Sequence, residues 1–116
     1  MRTIDLGQNS LRELNQELHR QTDGANEADW EILNPRGGHA IAVGIDAPIQ
    51  VDVRGSVGYY CAGMNKKASV TVHGSAGPGV AENMMSGKVV IKGDASQYAG
   101  ATGRGGMLVK IGRAHV

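Results

Sequence analysis

Phenylalanine is absent from the 116 residues, and the aromatic set shrinks to Trp30, Tyr59, Tyr60 and Tyr98. Large rings normally supply much of a compact core. The core must therefore be thin and built from Val, Ile, Leu and Ala. A single cysteine, Cys61, excludes an internal disulfide and suits a reducing cytoplasm, the expected location. No apolar run approaches the roughly 20 residues that span a bilayer, and the N-terminus shows none of the marks of a signal peptide. The net charge is only +1, so neither nucleic acid nor an acidic membrane is expected as a partner. Glycine, by contrast, is abundant at 18 residues.

The first 28 residues read as an N-terminal arm. In "NSLRELNQELHRQ", Ser10 and Glu13 form an S-x-x-E capping box, and Leu11, Leu14 and Leu18 share one helical face. A helix this short is marginal alone, so its leucine face needs a surface, either its own domain or a partner chain. "QTDGANEA" is polar and aperiodic and reads as a linker. "DWEIL", "HAIAVGI" and "PIQVDV" read as strands, the first stopped by the turn residues "NPRGG".

From residue 51 the chain repeats. "VDVRGSVGYYCAG" aligns with "VTVHGSAGPGVAE" at a shift of 19 residues, and "VVIKGDASQYAGA" follows at 19 more. Gly55, Gly74 and Gly93 coincide, as do Gly58, Gly77 and Ser96. Ala62, Ala81 and Gly100 fall together, and so do Ala68, Gly87 and Gly106. A fixed period near 20 points to a solenoid. The leucine ladder of a leucine-rich repeat is missing, and helical repeats are longer. The V-x-V step has period two, one side in and one side out. Glycines at fixed offsets mark corners where backbones approach closely. The expected fold is an all-β, single-stranded, right-handed parallel β-helix over residues 29–109, incomplete, with rungs of about 19 residues and a short N-terminal helix.

The repeat resembles the C-terminal (GXGXG) β-helix domain of the glutamate synthase large subunit. The stand-alone glutamate-synthase-like β-helix subunit, as in N-methylglutamate synthase, is similar to more of the chain. The matching stretches are "LNPRGGHAIAVGIDAPIQVDV", "GSVGYYCAGMN", "TVHGSAGPGVAENMMSG" and "KGDASQYAGATGRGG". The resemblance implies a non-catalytic scaffold that braces an amidotransferase-like subunit and an FMN-dependent synthase-like subunit. FMN and an iron–sulfur cluster are then implied in the partner, and none in this chain. The β-helix subunit of a formylmethanofuran dehydrogenase also carries the repeat and stands as the alternative.

The residues themselves offer little chemistry. A Walker loop fails, because Glu82 stands where its first glycine belongs and Val89 replaces Ser/Thr after Gly87-Lys88. No C-x-x-C or H-x-x-x-H spacing exists for a metal. His73 is expected on a solvated face beside Arg54 and Lys92, and Cys61 in a small buried slot. No catalytic, cofactor or metal residues are expected. The corner glycines are Gly55, Gly58, Gly74, Gly77, Gly87, Gly93, Gly100 and Gly106. The candidate partner interface is Asn83, Met84, Met85 and Arg104.

The last seven residues depart from the pattern. Lys110 occupies a slot that should be apolar, and "IGRAHV" is the translation of ATC GGA AGA GCA CAC GTC, the start of a common sequencing adapter. Residues 110–116 are therefore expected to be adapter read-through, with further rungs in the natural protein.

Overall fold

A computed structural model describes residues 1–21, 28–95 and 105–112. It contains one six-stranded parallel sheet with strands in chain order: β1 (Arg2–Asp5), β2 (Asp29–Leu33), β3 (Gln50–Arg54), β4 (Ser69–Val72), β5 (Lys88–Ile91) and β6 (Met107–Lys110). One helix, α1 (Leu11–His19), lies between β1 and β2. Sequential parallel strands with no helix in each crossover make a β-solenoid, as the repeat implies.

The period is the register. Gln50 pairs with Ser69, Ser69 with Lys88, and Lys88 with Met107, 19 residues apart each time. Each V-x-V step drops its valines into one inward column: Val51, Val70 and Val89 beside Val53, Val72 and Ile91, all fully buried. Burying such a side chain contributes roughly 1.5–3 kcal/mol, so these six residues are a substantial part of the core's stability. Between β2 and β3 the register is longer, with Asp29 opposite Gln50. The two extra residues fall at the proline-containing turns 34–36 and 47–49, as the rung-to-rung bonds Gly37 N–H to Ser56 O and Lys66 N–H to Ile45 O require.

"HAIAVGI" is not a strand. In this return path Ala40, Ala42 and Gly44 all have φ between +56° and +69°. The same alternation recurs at Tyr60, Ala62 and Met64, and again at Gly79, Ala81 and Asn83. Every second residue is left-handed, which no β-strand tolerates. The left-handed region costs most side chains roughly 1–2 kcal/mol, so small residues or Asn recur at these positions, with Tyr60 and Met64 as exceptions. The residues between them point inward: Ile41, Cys61 and Val80 are fully buried. The apolar run suggested a strand because burial and period were legible while the dihedral alternation was not.

Residues 1–28 also contribute more than an arm. β1 pairs with β2, Arg2 opposite Trp30 and Asp5 opposite Leu33. Four residues whose partner lies 28 positions away gave no local signal. Lys110, the expected start of the tail, lies in β6 opposite Ile91, with its side chain exposed.

The helix forms as its capping box predicts. Glu13 N–H donates to Ser10 Oγ at 3.1 Å, and Ser10 N–H donates to Glu13 Oε1 at 3.1 Å. Its leucine face lies on its own domain: Leu14 and Leu18 are fully buried, and Leu11 packs against the same core. Thus α1 substitutes for a return path and closes the N-terminal end of the stack. The end still carries backbone groups that a preceding rung would satisfy, and Asn15 meets them. Its Nδ2 donates to Ala40 O at 2.9 Å, while Ala42 N–H donates to its Oδ1 at 3.1 Å. The side-chain amide mimics the peptide of a missing rung. Asn15→Ala leaves both groups half-buried and unmet, an expected loss of about 1–3 kcal/mol. A chemical-denaturation midpoint unchanged from the parent would refute this capping role.

Candidate interaction surface

The central backbone donors of the glycine-rich stretch 74–79 are engaged. Ser75 N–H donates to Ser56 Oγ (3.0 Å), Ala76 N–H to Asp94 O (2.9 Å), and Gly77 N–H to Val57 O (3.2 Å). These are rung-to-rung bonds, so the loop does not present a nest of amides to a phosphate. Ser56, Ser75 and Asp94 stack in one column, and Asp94 N–H repeats the bond to Ser75 Oγ at 3.0 Å.

The corner glycines divide in two. Gly55, Gly58, Gly74, Gly77 and Gly93 lie at the corner after each strand. Gly74 and Gly93 are packed face to face on the glycine one rung before: a Cβ on either would lie 2.5 Å from that residue's carbonyl carbon. Gly87 and Gly106 sit before β5 and β6 with φ of +84° and +83°. Gly100 lies outside the described residues.

Side chains with chemical potential are mostly committed to the scaffold. Cys61 is fully buried, and burial pushes its thiol pKa up to about 12, so little thiolate exists at neutral pH. His73, expected on a solvated face, is half-buried. Its Nε2 lies 2.8 Å from Asp52 Oδ1 and 3.2 Å from Arg54 Nη1, while Arg54 Nε donates to Glu31 Oε2 at 3.0 Å. The parallel register brings these four residues into neighbouring outward columns. Such partly exposed pairs contribute about 0–1 kcal/mol each. They hold one another's polar atoms along the sheet face. Asp5, at the first corner, accepts from Asn34 Nδ2 (2.8 Å) and Gly7 N–H (2.7 Å), and these bonds hold its carboxyl below the usual range. Among the described residues no group of three His, Cys, Asp or Glu could hold a metal ion. Nor is any helix long and apolar enough to cross a membrane.

Asn65 escaped the sequence reading. It occupies the inward position aligned with Ile45 and Met84 and is fully buried. Its Nδ2 donates to Ala68 O at 2.7 Å and to Ser86 O at 3.3 Å, tying two rungs together at the turn, while among the described residues Oδ1 has no hydrogen-bond partner. A polar residue in an apolar column is the signal that would have found it.

The expected interface residues do not act as one patch. Met84 is only 4 % exposed and fills the column above Asn65, so it is core and not interface. The alternation that turns Met84 inward turns its neighbours out. Asn83 is exposed, with φ +57°, and Met85 is 48 % exposed. Arg104 lies outside the described residues. Among the described residues, the exposed large apolar side chains of the return paths are Met64, Met85 and Tyr59. Tyr59 stacks on His39, ring centroids 4.5 Å apart and planes 15° from parallel, and its N–H donates to His39 Nδ1 at 2.8 Å. Tyr59, Tyr60, Pro78, Gly79 and Glu82 line an open cleft beside this stack. A second cleft, of about 300 Å³, lies between β1 and α1, with Arg2, Glu13, Glu17 and Arg20 on its walls.

No known protein family matches the chain, and no solved structure matches it. Over 91 residues the chain is 69% identical to Protein GlxC of Rhizobium meliloti (strain 1021). The match covers 78% of this chain and 40% of that protein, so the aligned stretch spans less than half the length of the curated relative.

Proposed function

We propose that this chain is a non-catalytic scaffold segment of a glutamate-synthase-type complex, akin to the β-helix subunit of N-methylglutamate synthase. In this reading it braces an amidotransferase-like subunit and an FMN-dependent synthase-like subunit, and it holds no cofactor itself. The observation that carries the reading is the return path with a left-handed residue at every second position. The rungs that carry it share the G-x-x-G-x-x-x-A/G spacing of Gly55, Gly58 and Ala62 and of Gly74, Gly77 and Ala81, which resembles the glutamate synthase domain. The high identity to Protein GlxC is compatible with it. So is the chemistry: the titratable groups pair along the sheet face, and the one thiol is buried.

Affinity purification of the tagged chain from its native host, with identification of the retained proteins, tests the proposal. The expected result is co-elution of an amidotransferase-like chain and a flavoprotein whose released flavin is FMN. A chain that purifies alone and turns over a substrate would overturn it.

A further inference from the structure

Two of the four aromatic residues in the chain, Tyr59 and Tyr60, line one open cleft. Tyr59 is 59 % exposed although His39 covers one of its faces. The stack and the bond from its own N–H to His39 Nδ1 hold the tyrosine in place. The ring is thus a fixed platform at the cleft's edge.

Glu82 lines the same cleft. Its N–H donates to Gly79 O at 3.1 Å, closing a tight turn that folds the side chain back over Gly79. Glu82 Oε2 comes within 3.1 Å of the place where a Cβ on Gly79 would be, and Tyr60 N lies 3.4 Å from that place on the previous rung. The glycine therefore leaves the space between carboxylate and tyrosine backbone open. Among the described residues the Glu82 carboxylate has no hydrogen bond or ion pair. The contrast with other carboxylates is direct. Glu13 is held in the capping box, Glu17 by Arg20, Glu31 by Arg54, Asp46 by Lys67 and Asp52 by His73. The cleft between β1 and α1 is correspondingly less demanding, because Arg20 and Glu17 on its wall already pair with each other at 2.9 Å.

A carboxylate without a partner among the described residues, in one cleft with a fixed aromatic ring and a proline, is complementary to a planar cation. A guanidinium stacks on a tyrosine ring and offers a carboxylate two parallel N–H donors; an ammonium offers neither plane nor fork. We propose that the Tyr59–Tyr60–Glu82 cleft receives an arginine side chain of a partner protein. The inference rests on the scaffold reading only for which protein supplies the arginine.

The probe is N-acetylarginine amide, titrated into the full chain while the Tyr59 and Tyr60 ring resonances are followed by NMR. Saturable shifts at millimolar concentration are expected, with N-acetylcitrulline amide, the neutral isostere, at least tenfold weaker. Glu82→Gln should weaken arginine binding at least tenfold at an unchanged melting temperature, and Tyr59→Phe should retain it. Equal binding of the citrulline compound, of the corresponding lysine compound, or of the Glu82→Gln protein would overturn the proposal. So would the absence of saturation. Should Glu82→Gln fail to fold, the arginine–citrulline comparison on the unaltered chain decides. Arginine binding without co-purification of the expected subunits removes the scaffold reading and keeps the cleft. Co-purification without arginine binding does the reverse.

Discussion

Gly74→Ala is expected to lower stability by about 3–5 kcal/mol, at the upper end of what single substitutions do. The added methyl would lie 2.5 Å from the Gly55 carbonyl carbon and 2.7 Å from both Gly55 O and Ser56 N. Those atoms are backbone, so they cannot rotate away. Relief requires the two rungs to part, which breaks the adjacent bonds from His73 N–H to Val53 O and from Ser75 N–H to Ser56 Oγ. Each contributes about 1 kcal/mol, and the close packing lost with them adds more. Small domains have about 5–15 kcal/mol in total, so much of the population would be unfolded near physiological temperature. Gly37→Ala is the control. Nothing lies within 4 Å of a Cβ there, although φ is +72°, so only the left-handed backbone is penalised, by about 1 kcal/mol. Thermal melts followed by circular dichroism separate the two. Equal melting temperatures for the two variants would mean that Gly55, Gly74 and Gly93 are not stacked backbone to backbone.

Trp30→Ala is expected to cost about 3–5 kcal/mol, the usual range for truncating a buried ring. Trp30 is 1 % exposed and begins the inward column that continues through Val51, Val70 and Val89. The later rungs place valine at this position, and this one places an indole. The difference is the end of the stack. Where a further return path would lie, α1 crosses instead, and its Leu14 and Leu18 are buried in the same core as the ring. Arg2 lies over the indole at 5.5 Å from the ring centroid, adding a cation–π contact. Arg2→Ala should therefore cost only about 0.5–1 kcal/mol, as at other exposed sites. Guanidinium denaturation followed in the far-ultraviolet measures both without relying on the lost fluorophore. A Trp30→Ala loss under 1 kcal/mol would show that α1 does not seal the end.

The sheet was legible before the structure because neighbouring rungs impose the same environment on residues 19 positions apart. Val53 and Val72 must both point inward, and Gly55 and Gly74 must both admit the next backbone, so the same residue types return at the same interval. A solenoid of this kind states its nearest-neighbour contacts in its sequence. The return path was less legible. Alanine at 62 and 81 aligned with the repeat, but its identity says little about a φ near +55°, and Tyr60 or Met64 at such an angle has no sequence signature at all. The same gap produced the error at Met84. Read as a turn, Met84 and Met85 form one exposed pair; on an alternating backbone one must fill the column over Asn65 while the other faces solvent.

The sequence alone determined the solenoid, its 19-residue register, the valine column, the stacked corner glycines and the capped helix, because each depends on local pattern or on exact repetition. Only the tertiary structure decided what happens where repetition stops. β1 joins the sheet across 28 residues, Asn15 stands in for a missing peptide, and Trp30 fills the widened end. The structure likewise decided that Glu31, Arg54, His73 and Asp52 satisfy one another on the sheet face, and that among the described residues Glu82 has no partner in its cleft with two tyrosines. The physical reason is the same in each case. These contacts join residues from different rungs whose side chains do not repeat, so no interval in the sequence encodes them.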